Sequence, residues 1–179
     1  MKTKQKGFSL IELLIVVAII LIIAAIAIPN LLRSKIAANE SSAVGSVRTI
    51  GTAEVTYSSS WGSGFAVTLA NLGGAAPCTT AKAAAACLID PLLSTGAFTK
   101  SGYVFNAAGT KPDVAGTVLN GFEVNATPTS YQTTGVRSFC DDQTGVLKFA
   151  VNAGSAIGVA ADTCAGLKTV AGVSGPVGN

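Results

Sequence analysis

The chain contains no histidine among its 179 residues. That removes Ser-His-Asp and Cys-His catalytic arrangements and every histidine-ligated metal site. Charged side chains are scarce too, at 12% of the chain. The carboxylates are scattered, and Asp141-Asp142 is their one adjacent pair. Gln143-Thr144-Gly145 follows it, so the pair reads as part of a solvated turn. A calcium site of carboxylate and carbonyl oxygens is the alternative. No Gly-rich phosphate loop precedes a helix. No catalytic, cofactor-binding or metal-binding set emerges, and the chain reads as a non-enzyme. Aromatic residues are 6% of the chain, and their spacing suggests no stacked conductive path.

Basic excess is also lacking outside one short stretch. The formal net charge of +3 comes from 12 basic and 9 acidic residues. Lys2, Lys4 and Lys6 account for that excess, and beyond residue 7 the two signs balance. A basic footprint for nucleic acid is therefore absent, and no specific nucleic-acid binding is expected. Near-zero net charge and few charged side chains suit a subunit packed in an assembly better than a freely soluble monomer.

What the chain does have is a long apolar run. Residues 8–28 carry only two polar side chains, Ser9 and Glu12. As a helix they would span roughly 31 Å, close to the bilayer core. Lys2, Lys4 and Lys6 precede the run, and Arg33 and Lys35 follow it. The denser basic end is expected in the cytoplasm, with the remainder outside. Glu12 is out of place in an ordinary spanning helix. A carboxylate at helix centre costs about 2.5–3.5 kcal/mol on insertion scales, and less near the interface. No Lys or Arg lies within the run to pair with it, so Glu12 points to function. Two plainer readings compete. One is a secretory signal peptide cut after Ala25-Ile26-Ala27, disfavoured by Glu12 and by the length of the run. The other is a simple N-terminal anchor.

Helical patterning continues beyond Pro29. Leu32, Ile36, Ala43, Val44, Val47, Ile50, Ala53 and Val55 recur at steps of three and four, with Arg33, Glu40, Arg48 and Glu54 elsewhere around the wheel. Pro29 removes one backbone donor and is expected to kink the helix rather than end it. The pattern stops near Tyr57, before a Ser/Gly-rich stretch. Residues 81–89 are Ala-rich and read as a short helix, and Pro91 reads as the start of another turn. Four β-prone segments follow, at 102–106, 121–126, 136–140 and 146–150, the last two joined by a hairpin turn at 141–145. The tail from residue 170 reads either as a loose terminus or as a final edge segment. The expected fold is α+β: one long kinked N-terminal helix packed on an antiparallel sheet of about four strands.

Four cysteines, Cys78, Cys87, Cys140 and Cys164, sit in the part placed outside the cytoplasm. An even count in an oxidising compartment implies two disulfides. Of three possible pairings, Cys78–Cys87 with Cys140–Cys164 is favoured because it needs no crossing connection. The other two remain open, and neither close pair has zinc-site spacing.

The segment Lys6-Gly7-Phe8-Ser9-Leu10-Ile11-Glu12, with the apolar run closing at Ala25-Ile26-Ala27-Ile28-Pro29, resembles the prepilin signature. Type IV pilins and the pseudopilins of type II secretion share that signature. Gly7, Phe8, Glu12 and Pro29 match its four marked positions, whereas Leu21 stands where the family commonly has a small residue. The resemblance implies cleavage between Gly7 and Phe8 by a prepilin peptidase and N-methylation of Phe8. It implies a role for Glu12 and Pro29 in assembly, and a C-terminal disulfide at the position of Cys140–Cys164. It also implies a division into a leader (1–7), a transmembrane and filament-core helix (8–29), its amphipathic second half (30–60) and a globular pilin head (61–179). The expected partners are further copies of the chain, the peptidase, the inner-membrane assembly machinery and the membrane itself. The expected place is the bacterial inner membrane as a single pass, and the cell-surface pilus after assembly. A type II secretion pseudopilin and a secreted or anchored binding domain are the alternatives.

Overall fold

A computed structural model describes residues 7–74, 76–151, 154–158 and 160–177. Lys2, Lys4 and Lys6 lie outside the described residues. The chain divides into two compact units, Met1–Lys35 and Ile36–Asn179. Helix α1 (Leu10–Trp61) contributes residues to both, and Pro29 lies inside it without ending it. In the first unit every described residue is exposed except Ala24, which is half-buried.

In the second unit the helix has a buried face made by Ala43, Val47, Ile50, Ala53 and Tyr57. The spacing of three and four continues to the two acids on that face. Glu40 is 5% exposed and Glu54 fully buried. Both were expected away from the apolar stripe, and tertiary partners described below reverse that placement. Val55, expected on the stripe, is exposed.

The sheet is a meander of six antiparallel strands in the order β1-β2-β3-β4-β5-β6. They are β1 (Thr99–Lys100), β2 (Tyr103–Pro112), β3 (Leu119–Pro128), β4 (Ser138–Asp142), β5 (Lys148–Ala150) and β6 (Ser174–Pro176). Four of these correspond to the expected strands, and two are additional. β1 forms because Ser101 and Gly102 both take positive φ, 49° and 73°, and turn the chain tightly into β2. β6 has little β propensity of its own. It pairs through its backbone, with Phe149 opposite Gly175 and Ala150 opposite Ser174, and carries Pro176 on an edge where a missing donor is tolerated.

Strand alternation assigns the two faces. Phe105, Ala107, Phe122, Val124, Ala126 and Phe139 share one core with the buried face of α1. Glu123, Asn125, Cys140 and Asp142 fall on the opposite positions, and Gly158 and Cys164 lie against them. There Asn125 Nδ2 donates to the Gly158 carbonyl (3.1 Å) and the Cys164 N–H donates to Glu123 Oε2 (3.3 Å).

The Ala-rich stretch is not a helix. Lys82 and Ala85 exchange backbone hydrogen bonds of 3.1 and 2.8 Å around a tight turn. The N–H groups of Ala86 and Leu88 then donate to the carbonyls of Asn71 and Leu72 in the short helix α2 (Leu69–Leu72). A run this short cannot offset helix nucleation, so external backbone partners win. The expected turn at Pro91 is α3 (Pro91–Ser94), started by Asp90, whose carboxylate accepts from the Leu92 N–H at 2.9 Å.

Candidate functional site

The N-terminal residues singled out above lie together at the start of α1. Gly7 and Phe8 precede its first turn, and the Leu13 N–H already donates to the Ser9 carbonyl at 3.2 Å. Phe8 is 76% exposed. Glu12 lies in the first turn, where a carboxylate complements the positive end of the helix dipole. It is exposed, and among the described residues it takes part in none of the three ion pairs, Lys100–Asp90, Lys111–Asp162 and Arg137–Glu40. From Leu10 to Leu32 the large apolar side chains are uncovered on all sides of the helix. The helix is long and apolar enough to cross a membrane. A helix apolar all round is stable only inside lipid or inside a bundle of similar helices.

The four cysteines belong to the second unit. Cys78 is bonded to Cys87 and Cys140 to Cys164, with Cα separations of 5.7 and 5.9 Å. The first closes the Ala-rich turn, and the second ties β4 to the stretch at 160–164.

A carboxylate clamp in the same unit was not legible in the sequence. Glu40 Oε1 accepts from the backbone N–H groups of Val136 (2.9 Å) and Arg137 (3.1 Å). Its Oε2 accepts from Arg137 Nε (2.8 Å) and pairs with Nη2 (2.6 Å). The guanidinium also lies 5.8 Å from the centre of the Phe139 ring and 5.4 Å from that of Phe149. A short stretch between β3 and β4 is thereby fastened to the helix. Glu54 makes a second fastening, accepting from the Ala66 N–H at 2.8 Å. Burial pushes the Glu54 carboxyl up to about 7, against the pull of that N–H.

Asp141 and Asp142 are not a solvated turn. They are the last two residues of β4 and are 5% and 1% exposed. The hairpin turn itself follows, with Gly145 N–H donating to the Asp142 carbonyl and Thr144 N–H to its Oδ1. Asp141 is on the helix side, its Oδ2 2.9 Å from where a Cβ on Gly51 would sit. Burial raises its pKa, while the Asp142 N–H and Arg48 lower it. Asp142 is on the outer side, directly across from Glu123. One oxygen of each carboxylate and the Cys164 sulfur lie within 4.8 Å of one another. Cys164 is in a disulfide and offers no thiolate to a metal. The signal that would have exposed this pair is cross-strand register, which the sequence does not carry.

The first unit's geometry has a counterpart in known sequences. Residues 2–28 match the model of the prokaryotic N-terminal methylation motif. The chain thus carries at its N-terminus a prokaryotic methylation motif. It is similar to the type IV wide pilus major component PilA4 of Thermus thermophilus, with 66% identity over 35 residues. That stretch is 20% of this chain and spans about a quarter of the relative, 27% of its length. No solved structure matches the chain. The family-model match lies within residues 2–28, and the six-stranded head stands on its own geometry.

Proposed function

We propose that the chain is a structural subunit of a type IV pilus-like filament. It is made as a precursor with residues 1–7 as leader, cut between Gly7 and Phe8, and N-methylated on Phe8. Residues 8–29 anchor it in the inner membrane with the N-terminus cytoplasmic, and later form the filament core. Residues 30–60 carry the second half of the helix and 61–179 the head. The observation that carries this reading is the helix from Leu10 onward. As far as Leu32 it is apolar on all faces and uncovered, and it begins with a glutamate, four residues after Phe8, that joins no ion pair among the described residues.

The physical logic follows from those residues. Moving such a helix from lipid to a bundle of like helices exchanges one apolar surrounding for another, so extraction costs little hydrophobic energy. Cleavage creates an amine on Phe8. Glu12 of one subunit pairs with the Phe8 amine of the next, which offsets its burial and fixes axial register. Head-to-tail contacts of that kind do not close and generate an open helical filament. The relative's name is that of a wide pilus component, which favours a pilus over a secretion pseudopilin.

The test is Glu12→Ala, expressed without wild-type subunits. The expected result is normal removal of the leader and a loss of sheared surface filaments of at least tenfold. Normal filaments from that variant would overturn the register role of Glu12.

A further inference from the structure

A cavity in the second unit holds groups that the filament reading does not use. It measures about 340 Å³ and lies among Arg48, Gly51 and Val55 of α1, Phe122 of β3 and Asp141 of β4. Glycine is a poor choice in a helix interior. At Gly51 the missing side chain admits a carboxylate, since a Cβ there would lie 2.9 Å from Asp141 Oδ2. Asp141 is 5% exposed, and its Oδ1 accepts from the Asp142 N–H at 3.0 Å. Its Oδ2 takes no hydrogen bond from any described residue.

The other polar groups on the walls are already engaged. Thr52 Oγ1 donates to the Arg48 carbonyl at 2.9 Å. The Gln143 amide, turned to satisfy both its neighbours, donates to the Phe122 carbonyl (3.1 Å) and accepts from Lys111 Nζ (2.7 Å). Asp142 borders the cavity too, but its register places it on the outer side of the sheet, across from Glu123. Arg48 is exposed at the rim and joins none of the ion pairs among the described residues. Two unspent groups of opposite charge therefore face one cavity without pairing with each other. Beside them Val55, 59% exposed, and the Phe122 ring supply an apolar wall.

We propose that this cavity binds a small zwitterion of the class of free α-amino acids with a short apolar side chain. The ligand's ammonium donates to Asp141 Oδ2, and its carboxylate accepts from the Arg48 guanidinium. Its side chain lies against Val55 and Phe122. Charge decides between ligand classes. A lone cation would satisfy Asp141 and face Arg48, whereas a lone anion would pair with Arg48 and face a buried carboxylate. A molecule carrying both signs meets both groups, and on the buried Asp141 side an opposite charge counts for more than it does in water. Volume sets the size. Ligand cavities begin at about 300 Å³, so this one takes a compact molecule rather than a nucleotide or an oligosaccharide. Binding is independent of filament assembly, because every group involved belongs to the second unit.

The test is saturation-transfer NMR on the full chain in detergent micelles, with the signal from empty micelles subtracted. L-Valine is the probe. Isobutylamine, which lacks its carboxylate, and isovalerate, which lacks its amine, are the controls. L-Valine should bind saturably with a Kd of about 1 mM or tighter, and each control should bind about tenfold more weakly or worse. Arg48→Gln, at an exposed position, should weaken L-valine about tenfold or more, as should Asp141→Asn. Arg48→Gln carries the test if the second variant does not fold. No saturation by about 20 mM L-valine would overturn the proposal. Equal binding of either control would overturn it, as would undiminished binding in folded Arg48→Gln. Self-association of the chain that Arg48→Gln abolishes, with no L-valine binding, would overturn it in favour of a second copy.

Discussion

Replacing Glu40 by alanine tests the main fastening between the helix and the head. The carboxylate accepts two backbone N–H groups and two guanidinium contacts, all between 2.6 and 3.1 Å. Its side chain is 7% exposed, whereas that of Arg137 is 42% exposed. Breaking a fully buried ion pair costs about 3–5 kcal/mol. The open side of Arg137 lets water recover part of that charge, so the guanidinium contributes toward the lower end. The N–H groups of Val136 and Arg137 lose their acceptor as well, at roughly 1 kcal/mol each where half-buried. Removing the carboxylate also relieves its own desolvation, which subtracts from the sum. The expected net loss is about 3 kcal/mol, or a Tm lower by about 6–12 °C for a unit of this size. Glu40→Gln keeps one acceptor and should lose about half as much. The single tryptophan, Trp61, stacks on Tyr57 at 5.0 Å between ring centres and reports unfolding by fluorescence. Urea titration of the full chain in micelles gives the free energies. A loss below about 0.5 kcal/mol for Glu40→Ala, the level of an exposed surface pair, would refute the clamp.

Two further outcomes follow from the head. The Glu54 carboxyl has its folded pKa raised from 4.5 to about 7, so it stabilises the fold fully below pH 4.5 and loses that contribution as pH rises through about 7. Glu54→Gln should therefore flatten the decline in urea stability between pH 4.5 and pH 8 by up to about 3 kcal/mol, and an unchanged slope would contradict the assignment. Gly158 combines a φ of +67° with the close approach to Cys140, so Gly158→Ala should lower stability by about 2–4 kcal/mol in the same assay. A neutral result there would contradict the close approach of Gly158 to Cys140.

What could be read from the sequence was local, and what could not was long-range. The uncovered helix from Leu10 follows from an apolar run that composition alone makes visible. The buried face of Ala43, Val47 and Ile50 follows from period, and the strands around Phe105, Val124 and Phe139 from alternation. Glu40 and Glu54 share the helical spacing of that buried face, yet charge alone argues for the solvent side, and both are buried. The Arg137 and Ala66 groups that neutralise or satisfy them are supplied by chain folding back. Asp141 and Asp142 looked like turn residues because turn chemistry does follow them, one residue later. β1 and β6 are built by backbone pairing and tight turns, which leave no hydrophobic pattern. The Ala-rich run had helix propensity, and backbone partners from α2 outweighed it.

The mature N-terminus, read by mass spectrometry on protein from its native cell envelope, tests the central claim most directly. A chain beginning at methylated Phe8 is the predicted result. A chain beginning at Ile28, or retaining Met1, would contradict filament assembly and leave a secreted or anchored domain.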